Sequence, residues 1–203
     1  LDLTKLSVPG SLVRMRNKKR YLAAPIRDFC FSRHKIAFVS GPRQCGKTTL
    51  AKMLLRRRGV GAYTNWDDVE FRKTWTRNPK AVFPEASGGK APMLILDEIH
   101  KHRRWKRHLK GLFDTLESPC DILVTGSARL NVYRRHSDSL LGRYFNFRLH
   151  PFSIREMERP DNIPPDELIE TLFSRSLRNR KQRQENLEAL MRFGPFPEPL
   201  FEQ

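Results

Sequence analysis

The stretch SGPRQCGKTTL, Ser40 to Leu50, constrains this chain more than any other. It fits G-x-x-x-x-G-K-[ST] through Gly41, Gly46, Lys47 and Thr48. A glycine carries no Cβ, so the backbone at Gly41 and Gly46 can turn tightly and approach a ligand closely. Successive N–H groups of such a loop converge on an anion, and the following helix adds the positive end of its dipole. The pattern predicts a cradle for a nucleoside triphosphate built from Gly41, Pro42, Arg43, Gln44, Cys45, Gly46, Lys47, Thr48 and Thr49. Lys47 would reach the β- and γ-phosphates, and the Thr48 hydroxyl would hold Mg²⁺. The flanks suit this role. HKIAFVS, His34 to Ser40, reads as a buried strand, and TLAKMLLRRR, Thr49 to Arg58, as a helix with arginines near its negative end.

A second stretch supplies acids. In APMLILDEIH, Met93 to Leu96 form a continuous apolar run, as expected of a strand buried on both faces of a parallel sheet. It ends in Asp97-Glu98. Behind a phosphate loop, Asp97 is expected to hold Mg²⁺ through its water shell. Glu98 has the chemistry to orient and polarise an attacking water. Two surface carboxylates capping a helix are the competing reading.

The remaining segments build an alternation of strands and helices. A strand at Ala62 to Asn65 leads to Asp67 and Asp68, which could cap the helix Val69 to Thr76 or reach the metal shell. Asn78 to Pro92 reads as a loop or short helix. CDILVTGSARL, Cys120 to Leu130, is a buried strand with Thr125 and Ser127 at its carboxyl end, where open α/β sheets bind ligands. Either could sense a γ-phosphate, with helix capping the rival role for Ser127. A fifth strand spans Tyr144 to Leu149, and Arg143 just before it could reach a γ-phosphate in its own subunit or a neighbour. Leu1 to Ser11 reads as irregular, and a helix, Asn17 to Phe31, interrupted or kinked near Pro25, follows it. From Pro151 onward, short helices Ile154 to Arg159, Asp166 to Ser174 and Glu185 to Phe193 surround a basic run, Arg175 to Arg183. An extended GPFPEPLF follows.

Charge narrows the partners. Lys and Arg number 39 against 22 Asp and Glu in 203 residues, a formal net charge of +17. Such an excess favours an anionic partner, nucleic acid or a membrane surface, unless an acidic partner domain offsets it. Two clusters concentrate it: Arg14, Arg16, Lys18, Lys19 and Arg20, and the helix Lys101 to Glu117. On that helix Trp105, Leu109, Leu112, Phe113 and Leu116 would face the sheet. Lys101, Arg103, Arg104, Lys106, Arg107 and Lys110 would face outward. His100, His102 and His108 show no zinc-like pattern, so no metal ligand is assigned among them. Cys30, Cys45 and Cys120 form no C-x-x-C pair, which points to reduced thiols in a cytoplasmic protein. Cys45 is read either as an exposed, reactive thiol or as a small residue that fits the loop. The apolar runs MLIL and IAFV are far too short for a membrane span, and no signal peptide is read.

Taken in order, GPRQCGKTTL, LILDEIHK, LVTGSARL, LLGRYFNFRLHPFSIRE and FGPFPEP resemble the prokaryotic AAA+ ATPases of the fourteenth AAA group. The resemblance runs from about Leu12 to Leu200. It implies a P-loop ATPase core followed by a separate C-terminal domain. It also implies that Gly41 to Thr49 bind phosphate, Asp97 Mg²⁺ and Glu98 the water. Ser127 matches the sensor serine of the TGS motif and Arg143 the arginine of L-x-G-R. The family's Gly-Gly-Phe-Pro is Gly194-Pro195-Phe196-Pro197 here, and the chain stops at Gln203, where the second domain is expected to begin.

The expected fold is a three-layer α/β P-loop NTPase sandwich of the AAA+/ASCE type. It has a mainly parallel five-stranded sheet and a small C-terminal helical subdomain. Its expected parts are a basic extension and helix over 1–32, the ATPase core over 33–152 and the helical subdomain over 153–203. The first functional reading is Mg²⁺-dependent ATP hydrolysis, possession of no N-K-x-D run favouring ATP over GTP. A nucleotide-gated DNA- or RNA-binding module with little turnover is the alternative, using the basic stretches 101–110 and 14–20. A P-loop kinase for a small molecule is the third, with Arg175 to Arg183 imitating a lid. Expected partners are ATP and ADP, nucleic acid, further copies of the chain and the domain beyond Gln203, with no membrane.

Overall fold

The computed structural model describes residues 20–86, 89–127, 140–157 and 180–201. They fall into two compact units, one holding the described residues from Tyr21 to Leu149 and the other holding Arg20 with the described residues from His150 onward.

The larger unit is built on a five-stranded sheet: β1 Ile36–Ser40, β2 Gly61–Asn65, β3 Met93–Asp97, β4 Asp121–Gly126 and β5 Tyr144–Arg148. The order is β2-β3-β4-β1-β5, and every neighbouring pair is parallel. The apolar runs of β1, β3 and β4 are buried, whereas the outer strands β2 and β5 are only partly covered. This is the pattern a parallel sheet sandwiched by helices requires. Because all strands point one way, the carboxyl ends gather on one edge. Asn65, Asp97 and Thr125 align there, beside Ser40 and Gly126.

The helices of this unit are α1 Ala23–Pro25, α2 Lys47–Arg58, α3 Val69–Arg77 and α4 Trp105–Asp114. The expected helix near Pro25 breaks into α1, a π-turn Ile26–Cys30 and a 3-10 turn Phe31–Arg33. Ile26 and Cys30 are fully buried there. This segment lies within the unit that runs Tyr21–Leu149. In α3 the Asp68 carboxylate accepts the Glu70 N–H at 2.9 Å, the cap expected of one of the two acids. Asp67 instead pairs with Lys101 at 2.6 Å.

The helix expected from Lys101 to Glu117 is shorter. Ile99–Lys101 form a 3-10 turn, His102 is extended, and α4 starts only at Trp105. Burial decides this: Trp105, Leu109 and Leu112 of α4 face the sheet, with Trp105 edge-on to Phe38 at 5.5 Å. The seven residues from Glu98 to Arg104 turn the chain out of β3 first.

The smaller unit holds α5 Ile154–Met157, α6 Arg180–Phe193 and α7 Pro197–Phe201. Phe152, Met157 and Leu200 form its core, with Ala189, Leu190, Phe193 and Phe201 packed against them. Ser153 and Glu156 make a reciprocal capping box: the Glu156 N–H meets Ser153 Oγ at 3.3 Å and the Ser153 N–H meets Glu156 Oε2 at 3.4 Å. Arg20 is buried here against Glu156 at 2.9 Å, with its guanidinium 4.2 Å from the Phe152 ring centroid. Arg20 thus leaves the basic surface cluster in which the sequence placed it. Its companions Arg14, Arg16, Lys18 and Lys19 lie outside the described residues, as do 158–179 with the expected helix Asp166 to Ser174. The C-terminal GPFPEPLF, expected to be extended, contains α7; both its prolines sit in the first turn, where no backbone N–H is needed.

Candidate nucleotide-phosphate site

The loop between β1 and α2 takes the conformation its glycines permit. Gly46 sits at φ 91° as the residue before α2, and Gln44 is also left-handed at φ 60°. A Cβ on Gly41 would stand 2.3 Å from the Leu149 carbonyl oxygen, so only glycine fits against the chain leaving β5. Cys45 packs into the same corner, its sulfur 3.6 Å from that oxygen. Fully buried, it is the small residue that fits; the exposed, reactive thiol is ruled out. Arg43, Gln44 and Thr49 are exposed, whereas Pro42, Gly46 and Thr48 are half-buried.

Lys47 is 8% exposed, and its ammonium donates to the carbonyls of Gly41 at 3.2 Å and Pro42 at 2.5 Å. The charge is therefore held over the mouth of the loop by two backbone dipoles. Thr48, the next residue, donates its hydroxyl to Asp97 Oδ2 at 2.8 Å. The structure thus brings together the two residues the sequence named for Mg²⁺.

Asp97 is 3% exposed at the end of β3 and is surrounded by hydroxyls. Oδ2 accepts from Thr48 and from Tyr63 at 2.8 Å each, and Oδ1 accepts from Thr125. Among the described residues no basic side chain forms an ion pair with it. A buried carboxylate balanced only by neutral donors, with a second hydroxyl oxygen beside it, is a donor set suited to a hard divalent cation. Tyr63 was not singled out in the sequence. Its place follows from register alone, since β2 pairs Tyr63 with Ile95 and Asn65 with Asp97. Burial first, and donation to Asp97 second, push the Tyr63 phenol up to about 12, so it stays a proton donor.

Glu98 is in the left-handed region at φ 58°, uncommon for a residue with a long side chain. Its N–H donates to Thr125 O at 3.0 Å, and Lys101 N–H returns to its carbonyl at 3.0 Å. These bonds hold the turn that separates its side chain from that of Asp97. Its carboxylate lies 3.7 Å from His100 Nε2 and 3.9 Å from Lys101 Nζ. His100 Nε2 also lies 3.5 Å from Ser127 Oγ. The imidazole thus bridges the expected water-orienting acid and the expected sensor serine, a role the motif DEIH does not announce. Burial lowers the His100 pKa, outweighing the opposite pull of Glu98.

Arg143 is not brought to this site. Its carbonyl accepts the Ile36 N–H, at the start of β1, while the phosphate loop leaves the end of that strand. One strand of this length separates them by roughly 13–16 Å at about 3.3 Å per residue. The guanidinium instead pairs with Asp114 at 2.6 and 3.1 Å. In this structure Arg143 thus stands on the sheet edge away from the loop after β1, paired with Asp114. A cavity of about 350 Å³ lined by Phe83, Pro92, Leu112, Leu116 and Cys120 holds none of the residues of the site.

An uncharacterised protein of Haemophilus influenzae is 24% identical over 153 residues, 68% of this chain and 37% of its own length. One from Mycobacterium tuberculosis is 27% identical over 154 residues, 75% of this chain and 33% of its own. The chain thus spans about a third of the length of these relatives. Among solved structures, AMPPCP-bound DnaA from Aquifex aeolicus is similar with a TM-score of 0.45 and 18% identity, over 84% of this chain and 58% of that one. The ORC1 protein of Aeropyrum pernix in complex with DNA gives 0.41 and 16%, over 92% and 62%. Among the described residues no helix is long and apolar enough to cross a membrane. Residues 33–158, well over half of the chain and including the whole of the cradle and both acids, match the family described as AAA domain, AAA_14, and the chain belongs to that family.

Proposed function

We propose that the chain hydrolyses ATP in a Mg²⁺-dependent reaction at the cradle formed by Gly41 to Thr49. The observation that carries this reading is the direct Thr48–Asp97 hydrogen bond at 2.8 Å, with Glu98 as the next residue. The backbone N–H groups and the α2 dipole would hold the β- and γ-phosphates. Lys47 would exchange the Gly41 and Pro42 carbonyls for phosphate oxygens. Thr48 and Asp97 would hold the cation, whose charge offsets that of the phosphate oxygens. Glu98 would accept a proton from the water that attacks the γ-phosphorus as the bond to ADP breaks. Ser127, with His100 between it and Glu98, would orient that water or the γ-phosphate. The test is phosphate release from ATP with Mg²⁺ and with EDTA, in the wild type and in Glu98→Gln. Arg143 is left as a residue for a neighbouring copy's phosphate.

Nucleic-acid binding is the second reading, and a specific observation favours it. Lys101, Arg103, Arg104 and Arg107 are all exposed along one continuous stretch. Lys101 is engaged by Asp67, which leaves the three arginines as the stronger phosphate contacts. Affinity for DNA should then fall steeply with salt, and replacing the arginines should flatten that slope. Absence of binding at low salt would remove this reading and leave the ATPase reading untouched.

A further inference from the structure

Tyr63 touches the Asp97 carboxylate but has no part in the chemistry above. It lies in the middle of β2, a strand that supplies none of the other groups, and its phenol donates to Asp97 Oδ2 at 2.8 Å. The same oxygen accepts the Thr48 hydroxyl, also at 2.8 Å. The Asn65 side chain lies near the phenol, and its Oδ1 accepts the Asp67 N–H at 2.9 Å. On the other side Lys52 Nζ stands 4.5 Å from the ring centroid. Lys52 is one turn beyond Thr48, so α2 reaches the Tyr63 ring through Lys52 and shares the Asp97 Oδ2 acceptor with it through Thr48.

The two hydroxyls on Oδ2 differ in freedom. Thr48 can turn about a single bond and exchange the carboxylate for a cation. The phenol oxygen can move away only if the whole ring moves, against its strand and the Lys52 side chain on its face. We propose that Tyr63 is a positioning residue for the divalent cation of the nucleotide. It fixes the orientation of the Asp97 carboxylate so that the acid already faces the metal's water shell when Thr48 turns away. Losing a partner of this outer kind typically costs roughly 10–100-fold in metal affinity or activity. The proposal rests on the reading of Thr48 and Asp97 as the cation site. It goes beyond that reading in making the metal's affinity depend on β2.

The experiment titrates a fluorescent ATP analogue into the full chain in EDTA and across a Mg²⁺ series. A parallel measurement follows Mn²⁺ binding by electron paramagnetic resonance with a non-hydrolysable analogue. Tyr63→Phe removes one oxygen and keeps the ring. The expected result is nucleotide affinity in EDTA within about twofold of wild type, with the half-saturating Mg²⁺ and Mn²⁺ concentrations raised roughly tenfold. Asn65→Ala, which leaves the phenol but removes the side chain beside it, should show the same signature more weakly and serves if Tyr63→Phe folds poorly. An unchanged metal requirement, or a loss equal with and without metal, would mean that Tyr63 only satisfies a buried acid, and would overturn the proposal. If the wild type shows no metal dependence, or Asp97→Asn retains it, the cation site itself is wrong and the proposal falls with it.

Discussion

The Thr48 hydroxyl and the Asp97 carboxylate meet at 2.8 Å, joining the first turn of α2 to the carboxyl end of β3. Two stretches far apart in the chain thereby become one site. Thr48→Ala removes the hydroxyl and leaves the loop backbone intact. It should abolish most of the Mg²⁺ dependence of nucleotide binding while affinity in EDTA changes little. Titration of a fluorescent ATP analogue with and without metal checks this. Equal losses in both conditions would point to a purely structural Thr48.

Gly41→Ala tests the cradle from another side. The added methyl would lie 2.3 Å from the Leu149 carbonyl oxygen, a backbone atom that cannot move cheaply. Overpacking of this kind costs about 1–3 kcal/mol, and at about 2–4 °C per kcal/mol the melting temperature should fall several degrees. Nucleotide affinity should fall with it, because the loop must open to make room. Gly142→Ala is the comparison: at φ 77° with open space around it, it meets only the cost of a left-handed backbone. It should leave nucleotide affinity unchanged.

The acid limb of stability should depend on His102. Its ring packs at a tilt against Trp66, centroids 4.9 Å apart, and against His108, 5.1 Å apart. Burial, then His108 and Arg104, lower its pKa below the ordinary histidine value. His100 is shifted the same way. In each case the unfolded chain binds the proton more readily than the folded one. The stabilisation is thus present above the unfolded pKa, near 6.5, and is lost as pH falls through the folded value. Melting temperature should drop between about pH 7.5 and 5.5, and His102→Gln should flatten that slope. Parallel slopes for the two proteins would count against it.

The basis of these expectations differs in how far it can be read from residues alone. The apolar runs before Ser40, Asp97 and Gly126, and the glycine spacing of the loop, are local signals, and the strands and cradle follow them closely. Asp68 as a helix cap is local too. Tyr63 and His100 are not. Tyr63 reaches Asp97 only because β2 and β3 pair in one register, and His100 reaches Ser127 only because β3 and β4 are neighbours. Arg143 stands away from its own chain's phosphate loop for a related reason: a parallel sheet puts a residue before a strand on the edge opposite the loop after one. Arg20 reads as one charge in a basic run, and only its packing against Glu156 and Phe152 shows that it is buried.

The place of Arg143 yields its own prediction. Its bidentate pair with Asp114 holds the Asp114 carboxyl below the usual range and the guanidinium above it. Arg143→Ala should leave nucleotide affinity of the dilute chain unchanged. Turnover should fall only where it rises with protein concentration in the wild type. Assays across a concentration series at saturating ATP check this; a loss independent of concentration would contradict action on a neighbouring copy.

The most direct test is phosphate release from ATP by the wild type and by Glu98→Gln, beside nucleotide affinity for both. The account predicts Mg²⁺-dependent release by the wild type. In the variant, affinity should be nearly unchanged and release reduced by about 10²-fold or more. Equal release by the two proteins, or release that persists undiminished in EDTA, would contradict it.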